Sequence, residues 1–205
     1  MKKIVFDFAG VLFHWQPATL LQRELPHIAT DAAAGQHWAA QIFQGYGGDW
    51  AEFDRGTVSP EAMAERIAAR CGLALADAQR VIAAVPHELQ PMPDTLALLQ
   101  RLQAAGCGLY FLSNMPAPYA DALEAWHPFI GGFAGGVFSS RVRLIKPEAA
   151  IYALAAGRFD AAPGELMFID DHLPNVLAAR ESGWNALHFS NASATESDLR
   201  AAGWI

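Results

Sequence analysis

Basic residues are scarce in this chain. Fourteen Lys and Arg stand against 21 Asp and Glu, a net charge of −7. The basic residues are scattered and form no run, which argues against nucleic acid or an anionic membrane as partner. An anionic small molecule stays open, because the charge inside a site decides that. Lysine is rarer still, at Lys2, Lys3 and Lys146 alone. Cysteine occurs twice, at Cys71 and Cys107, without metal-ligand spacing. That argues against a thiolate metal site and points to a reduced, cytoplasmic protein. No apolar stretch approaches the roughly 18 residues that a membrane span needs. At the N-terminus, Asp7 interrupts the apolar run that follows the two lysines. Repeats and low-complexity linkers are absent.

What is present suits a packed domain. The chain has 205 residues, 53% hydrophobic and 17% charged. That is enough for one large domain, or for a domain carrying a substantial insertion. Residues 3–9 read as a short buried strand that delivers Asp7 to its end. From residue 15 to residue 91 the pattern is helical, with periodic segments at 17–25, 37–43, 60–71 and 75–85. Ser59-Pro60-Glu61 is a helix start and Gly72 a helix stop. After Pro91-Met92-Pro93, helices and strands alternate. The expected strands lie at 108–112, 137–139, 165–169 and 186–189. Helices are expected at 94–105, 117–126, 147–156, 174–182 and 196–202. Alternation of this kind predicts an α/β fold: a Rossmann-like parallel sheet with helices on both faces. The expected organisation is a core of residues 1–14 and 92–205, with an all-helical insertion at 15–91.

Three expected strands end in polar groups: Asp7, Ser113-Asn114 and Asp170-Asp171. In an open parallel sheet, ligands bind beyond the carboxyl ends of the strands. These residues can therefore share one crevice, with Lys146 ahead of a helix on the same side. Carboxylates suit a hard cation such as Mg²⁺, and Ser and Lys suit phosphate oxygens. Taken singly, each residue has an ordinary explanation as a turn, helix cap or surface group. Four such features in this order at these strand ends are hard to reach by chance.

The motifs are Phe6-Asp7-Phe8-Ala9-Gly10-Val11, Leu112-Ser113-Asn114, Ile145-Lys146-Pro147-Glu148 and Phe168-Ile169-Asp170-Asp171. The set resembles the haloacid dehalogenase-like hydrolase superfamily over nearly the whole chain, and residues 15–91 resemble its helical cap. Phe53-Asp54-Arg55-Gly56, followed by Ser59-Pro60-Glu61, is similar to the cap of α-glucose-1-phosphatase-like sugar phosphatases. The resemblance implies that Asp7 is a nucleophile that takes a phosphoryl group. It implies that Ser113 and Asn114 bind that group and that Lys146 neutralises charge on both. It also implies that Asp171 ligates Mg²⁺ together with Asp7 and the backbone carbonyl of Ala9, with Asp170 as a further or alternative ligand. The partner implied is a small phosphorylated molecule; the oligomeric state is not implied.

Ala9 departs from the pattern. Most phosphatases of the superfamily carry there an aspartate that acts as general acid and base, and such help contributes roughly 10²–10⁴-fold. Three readings stay open. The chain is a phosphatase acting on a good leaving group, such as a sugar 1-phosphate, or using another acid, with His14 and His172 as candidates. It is a metal-independent 2-haloacid dehalogenase, a group that also lacks the second aspartate, with Trp15, Trp38, Trp50, Phe43 and Arg55 around an apolar cavity. Or it binds a ligand or partner without catalysis. The phosphonate hydrolases also carry alanine there, but they need a cap lysine, and none of the three lysines lies in 15–91. The retained Asp170-Asp171 pair favours a metal and a phosphate.

Overall fold

The computed structural model describes residues 2–205. The elements run in chain order as β1 (Lys3–Phe6), α1 (Pro17–Glu24), α2 (Ala32–Phe43), α3 (Gly48–Asp54), α4 (Pro60–Cys71), α5 (Leu75–Glu88), α6 (Pro93–Ala104), β2 (Gly108–Ser113), α7 (Ala117–Trp126), β3 (Gly135–Phe138), α8 (Ser139–Val142), α9 (Ala149–Arg158), β4 (Leu166–Asp170), α10 (Leu173–Glu181), β5 (Asn185–His188) and α11 (Ala192–Ala201). Short 3₁₀ turns occur at Gln44–Tyr46, Pro128–Gly132 and Pro163–Glu165.

The five strands form one sheet in the order β3-β2-β1-β4-β5. Every pairing is parallel. This is the expected Rossmann-like α/β architecture. The strand order places β1 at the centre, and the topological switch point lies between β1 and β4. Phe6 pairs with Ile169, so the residues that follow, Asp7 and Asp170, emerge side by side at that point. Ligands of doubly wound sheets bind at such crevices.

Alternation along β1 divides the core in two. Ile4 and Phe6 join a large apolar cluster with residues of α6 and α7 and of the helices α1–α5. Val5 faces the other way, into a cluster with Ile151, Tyr152, Phe159, Val176 and Trp184. The helical stretch between β1 and α6 thus shares a continuous core with one face of the sheet.

Some boundaries differ from expectation. The first strand stops at Phe6, not at residue 9. Asp7–Ala9 lead into a tight turn in which Leu12 N and Phe13 N both donate to Phe8 O at 2.8 Å. Helix α2 starts earlier than residue 37, because Asp31 caps it by accepting from Ala34 N at 2.8 Å. Helix α3 was not expected; it is short and opens on Gly48. Helix α9 begins at Ala149, after Pro147. No helix among the described residues is long and apolar enough to cross a membrane.

Candidate active site

Asp7 leaves the end of β1, and its N–H donates to Ile169 O at 2.9 Å. That bond extends the β1–β4 ladder by one residue and fixes the direction of the side chain. Lys146 comes from the loop before α9 and is 3% exposed. Its Nζ lies 2.8 Å from Asp7 Oδ1 and 2.7 Å from Asp170 Oδ2. One buried ammonium therefore joins two carboxylates across the switch point. The two acids raise the pKa of the ammonium against the opposing effect of burial. Burial pushes the Asp7 carboxyl up to about 7; Lys146 works against this, and Asp170 and Asp171 add to it.

Asp170 has no free capacity. It is fully buried and accepts from Lys146 Nζ, from His172 N at 2.8 Å and from Asn175 Nδ2 at 3.1 and 3.2 Å. Such saturation is what a buried carboxylate requires. Asp171 is the solvent-facing member of the cluster. Oxygens of Asp7, Asp170 and Asp171 lie within 4.8 Å of one another, and of these Asp7 and Asp171 are the hard donors left to face a divalent cation.

Gly10 makes room for this cluster. Its φ is +82°, and a Cβ there would sit 2.2 Å from Asp171 Oδ2. Gly10→Ala is accordingly expected to cost about 1–2 kcal/mol of stability from the left-handed backbone alone and to displace Asp171. Urea unfolding measures the first effect; an unchanged midpoint would count against the assignment.

The second motif divides its labour in a way that the sequence did not show. Asn114 clamps the backbone of Lys146: its Nδ2 donates to Lys146 O at 2.9 Å, and its Oδ1 accepts from Lys146 N at 2.8 Å. The side-chain amide thus positions the lysine loop, while the residue still lines the cavity. Ser113 is 1% exposed, and its hydroxyl has no hydrogen-bond partner among the described residues. An orphaned buried hydroxyl costs roughly 1–3 kcal/mol, and Ser113 itself is not among the residues that line the cavity.

A cavity of about 450 Å³ opens directly off Asp7 and Lys146. Its polar wall is Asp7, Asp54, Asn114, Lys146, Asp171, His172 and Asn175, and its apolar wall includes Trp15, Tyr46, Trp50, Leu89, Met115 and Tyr119. Two polar tips on that apolar wall donate to protein partners. Trp15 Nε1 donates to Tyr46 Oη at 2.9 Å, and Tyr119 Oη donates to Ile82 O at 2.8 Å.

The other residues singled out from the sequence fall differently. Trp15 and Trp50 line the cavity, whereas Phe43 packs in the core and half-buried Trp38 packs against it. Arg55 turns away and makes two bonds to Glu148, at 2.9 and 2.6 Å. His172 lines the cavity, edge-on to Tyr46. His14 is exposed and does not line it. Sequence reasoning missed Asp54 as a site residue. It ends α3, is 4% exposed and lines the cavity. The only signal for it was its place in the segment before Ser59-Pro60.

Comparisons with known proteins place the chain in a family. A family model for haloacid dehalogenase-like hydrolases matches residues 1–183. The chain is 28% identical to the sesquiterpene phosphatase astK of Aspergillus oryzae, over 97% of this chain and 95% of that protein. It is 27% identical over 105 residues, 51% of the chain, to (S)-2-haloacid dehalogenase 1 of a Pseudomonas species, aligned over 46% of that protein. Among solved structures, it resembles a HAD family enzyme of Bacteroides thetaiotaomicron in complex with magnesium and inorganic phosphate. The TM-score is 0.71 at 20% identity, covering 93% of this chain and 95% of that one. On the match of the family model to most of its length and the four motifs meeting at one crevice, the chain belongs to the haloacid dehalogenase-like hydrolases.

Proposed function

We propose that the chain is a Mg²⁺-dependent phosphatase that works through an aspartyl-phosphate on Asp7, and that its substrate is a monoester of a bulky apolar alcohol. The observation that carries this reading is the cavity: it joins the Asp7–Lys146 pair to a wall of aromatic and aliphatic side chains. Its size lies within the range of small-molecule sites. A sugar needs several hydrogen-bonding partners; on the aromatic side of the cavity Trp15 and Tyr119 already spend theirs, and Asp54 is the one acidic side chain set among these residues. An apolar chain needs none and gains from burial. The likeness to a sesquiterpene phosphatase over nearly the whole chain supports the same substrate class. Within the expected class of small phosphate monoesters, this reading favours a prenyl-like ester over a sugar phosphate. Residues 15–91 act in this reading as the cap that supplies the apolar wall.

Each residue has a task. Asp7 attacks phosphorus and carries the phosphoryl group, splitting hydrolysis into two easier steps. Lys146 faces the charge that develops between nucleophile and phosphoryl group. Asp170 and Asn175 hold the ammonium in line, and Asn114 holds the loop that bears it. Ser113 offers its unpartnered hydroxyl to a phosphoryl oxygen. Asp7, Asp171 and the carbonyl of Ala9 would hold Mg²⁺, with Asp170 set behind them by its full complement of bonds. When bound, the cation supplies positive charge to the phosphoryl oxygens, which is much of what phosphoryl transfer asks of a protein.

Asp171→Ala is expected to weaken Mg²⁺ activation by at least about tenfold, as loss of a ligand does, while the protein still folds. Activity against Mg²⁺ concentration measures this, and equal half-activation in both proteins would remove Asp171 from the metal site. The reading as a whole is tested by assaying phosphate release from farnesyl phosphate, glucose 1-phosphate and glucose 6-phosphate, with Mg²⁺ and with chelator. The prenyl ester is expected to lead, and only with Mg²⁺. Halide release from 2-haloacids in chelator, with no phosphate release, would establish the dehalogenase instead.

A further inference from the structure

Ala9 leaves the first motif without its usual proton donor, and the cavity holds a further acidic residue, Asp54. Asp54 is buried and lines the cavity, and its carboxyl has no hydrogen bond or ion pair among the described residues. A buried carboxyl without a partner is costly, so its retention calls for a reason. Its position is held firmly by its neighbours. Ser139 Oγ donates to Asp54 O and itself accepts from Met115 N at 2.9 Å. Arg55, the next residue, grips Glu148, which is two residues beyond Lys146. Gly56, with φ +77°, then packs so closely that a Cβ would lie 2.8 Å from Ser140 O. Three successive residues thus tie the end of α3 to the loops that bear Lys146 and Met115.

Resting on the phosphatase reading above, we propose that Asp54 is the general acid and base of this site, brought from the helical segment to do what residue 9 cannot. In the first step, Asp7 forms a bond to phosphorus and the bond from phosphorus to the alcohol oxygen breaks. The Asp54 proton passes to that oxygen, so the neutral alcohol leaves and Asp54 becomes a carboxylate. In the second step, Asp54 takes a proton from water, and the water oxygen attacks phosphorus. The bond to Asp7 breaks, inorganic phosphate leaves, and both carboxyls return to their first state. The environment suits this cycle. Burial first, and then Asp7, push the Asp54 carboxyl up to about 8, against Lys146. At neutral pH it therefore holds a proton. The other groups that sense its charge are Tyr46 and Tyr119, both with hydroxyls already hydrogen-bonded.

The test compares wild type with Asp54→Asn on phosphate esters of graded leaving-group pKa, from nitrophenyl to alkyl. Asparagine has the shape of the protonated acid, so the melting temperature is expected to be at or above that of wild type. Loss of a general acid costs about 10²–10⁴-fold. That loss is expected in kcat/KM on the alkyl ester, while kcat/KM on nitrophenyl phosphate falls less than about tenfold. On nitrophenyl phosphate, kcat is expected to fall further than kcat/KM, with a burst of nitrophenol, because water attack has lost its base. Asp54→Ala with added formate provides a second variant, in which the alkyl-ester rate is expected to recover. An equal loss on all esters, or none, would overturn the proposal. So would a steepened leaving-group dependence in His172→Ala but not in Asp54→Asn. Wild type inactive on every ester would instead remove the phosphatase reading itself, and this inference with it.

Discussion

Asp7→Asn is expected to abolish turnover by at least about 10⁴-fold, the scale seen when a covalent nucleophile is removed. The amide cannot form an acyl-phosphate, and it is a poor ligand for a hard cation. The fold is expected to survive. The two side chains have nearly the same volume, and Lys146 keeps Asp170 at 2.7 Å. Asp7 also carries a desolvation penalty, visible in its raised pKa, which the neutral amide avoids. Steady-state rates with an unfolding curve for the same preparation measure both effects. Wild-type turnover in Asp7→Asn would contradict the assignment. Unfolding of the variant would show that Asp7 is a structural charge.

Lys146→Met is expected to damage both activity and stability. Among the described residues the ammonium is the one cation set between Asp7 and Asp170, and all three groups are buried. Removing it leaves two acids facing each other without compensation. Breaking a buried ion pair by deleting one partner costs about 3–5 kcal/mol. Part of that cost is relieved at low pH, because either acid can then take up a proton. The stability difference between Lys146→Met and wild type is therefore expected to shrink as pH falls from 8 to 5. Urea unfolding at several pH values measures it. A constant, small difference would show that the lysine compensates neither acid.

Much of the fold was legible because helix and strand periods alternate clearly after residue 92. The strand ends were legible too: Asp7, Ser113 and Asp170 each follow an apolar run that can only be a buried strand. The family motifs then fixed their mutual order. What could not be read was how side chains are shared out at the crevice. Asn114 has the composition of a ligand-binding residue, yet its amide closes on the backbone of Lys146, 32 residues away. Such a pairing is tertiary and leaves no local pattern. Asp54 was hidden for a similar reason. Helix α3 is short and flanked by glycines, so it gives too little periodicity to be recognised. A single acidic residue 47 positions from Asp7 announces nothing until the chain folds back. The apolar character of the cavity was equally obscured, because Trp15 and Trp50 read the same whether they pack in a core or line a site.

The most direct measurement is to trap the covalent intermediate. The protein is mixed with Mg²⁺ and a prenyl phosphate, quenched with borohydride during turnover, digested, and the N-terminal peptide examined by mass spectrometry. Borohydride reduces an aspartyl-phosphate to homoserine. The account predicts that change at Asp7 and at no other acidic residue, dependent on substrate and Mg²⁺, and absent from Asp7→Asn. An unmodified Asp7 in a protein that is releasing phosphate, or reduction at a different carboxylate, would contradict it.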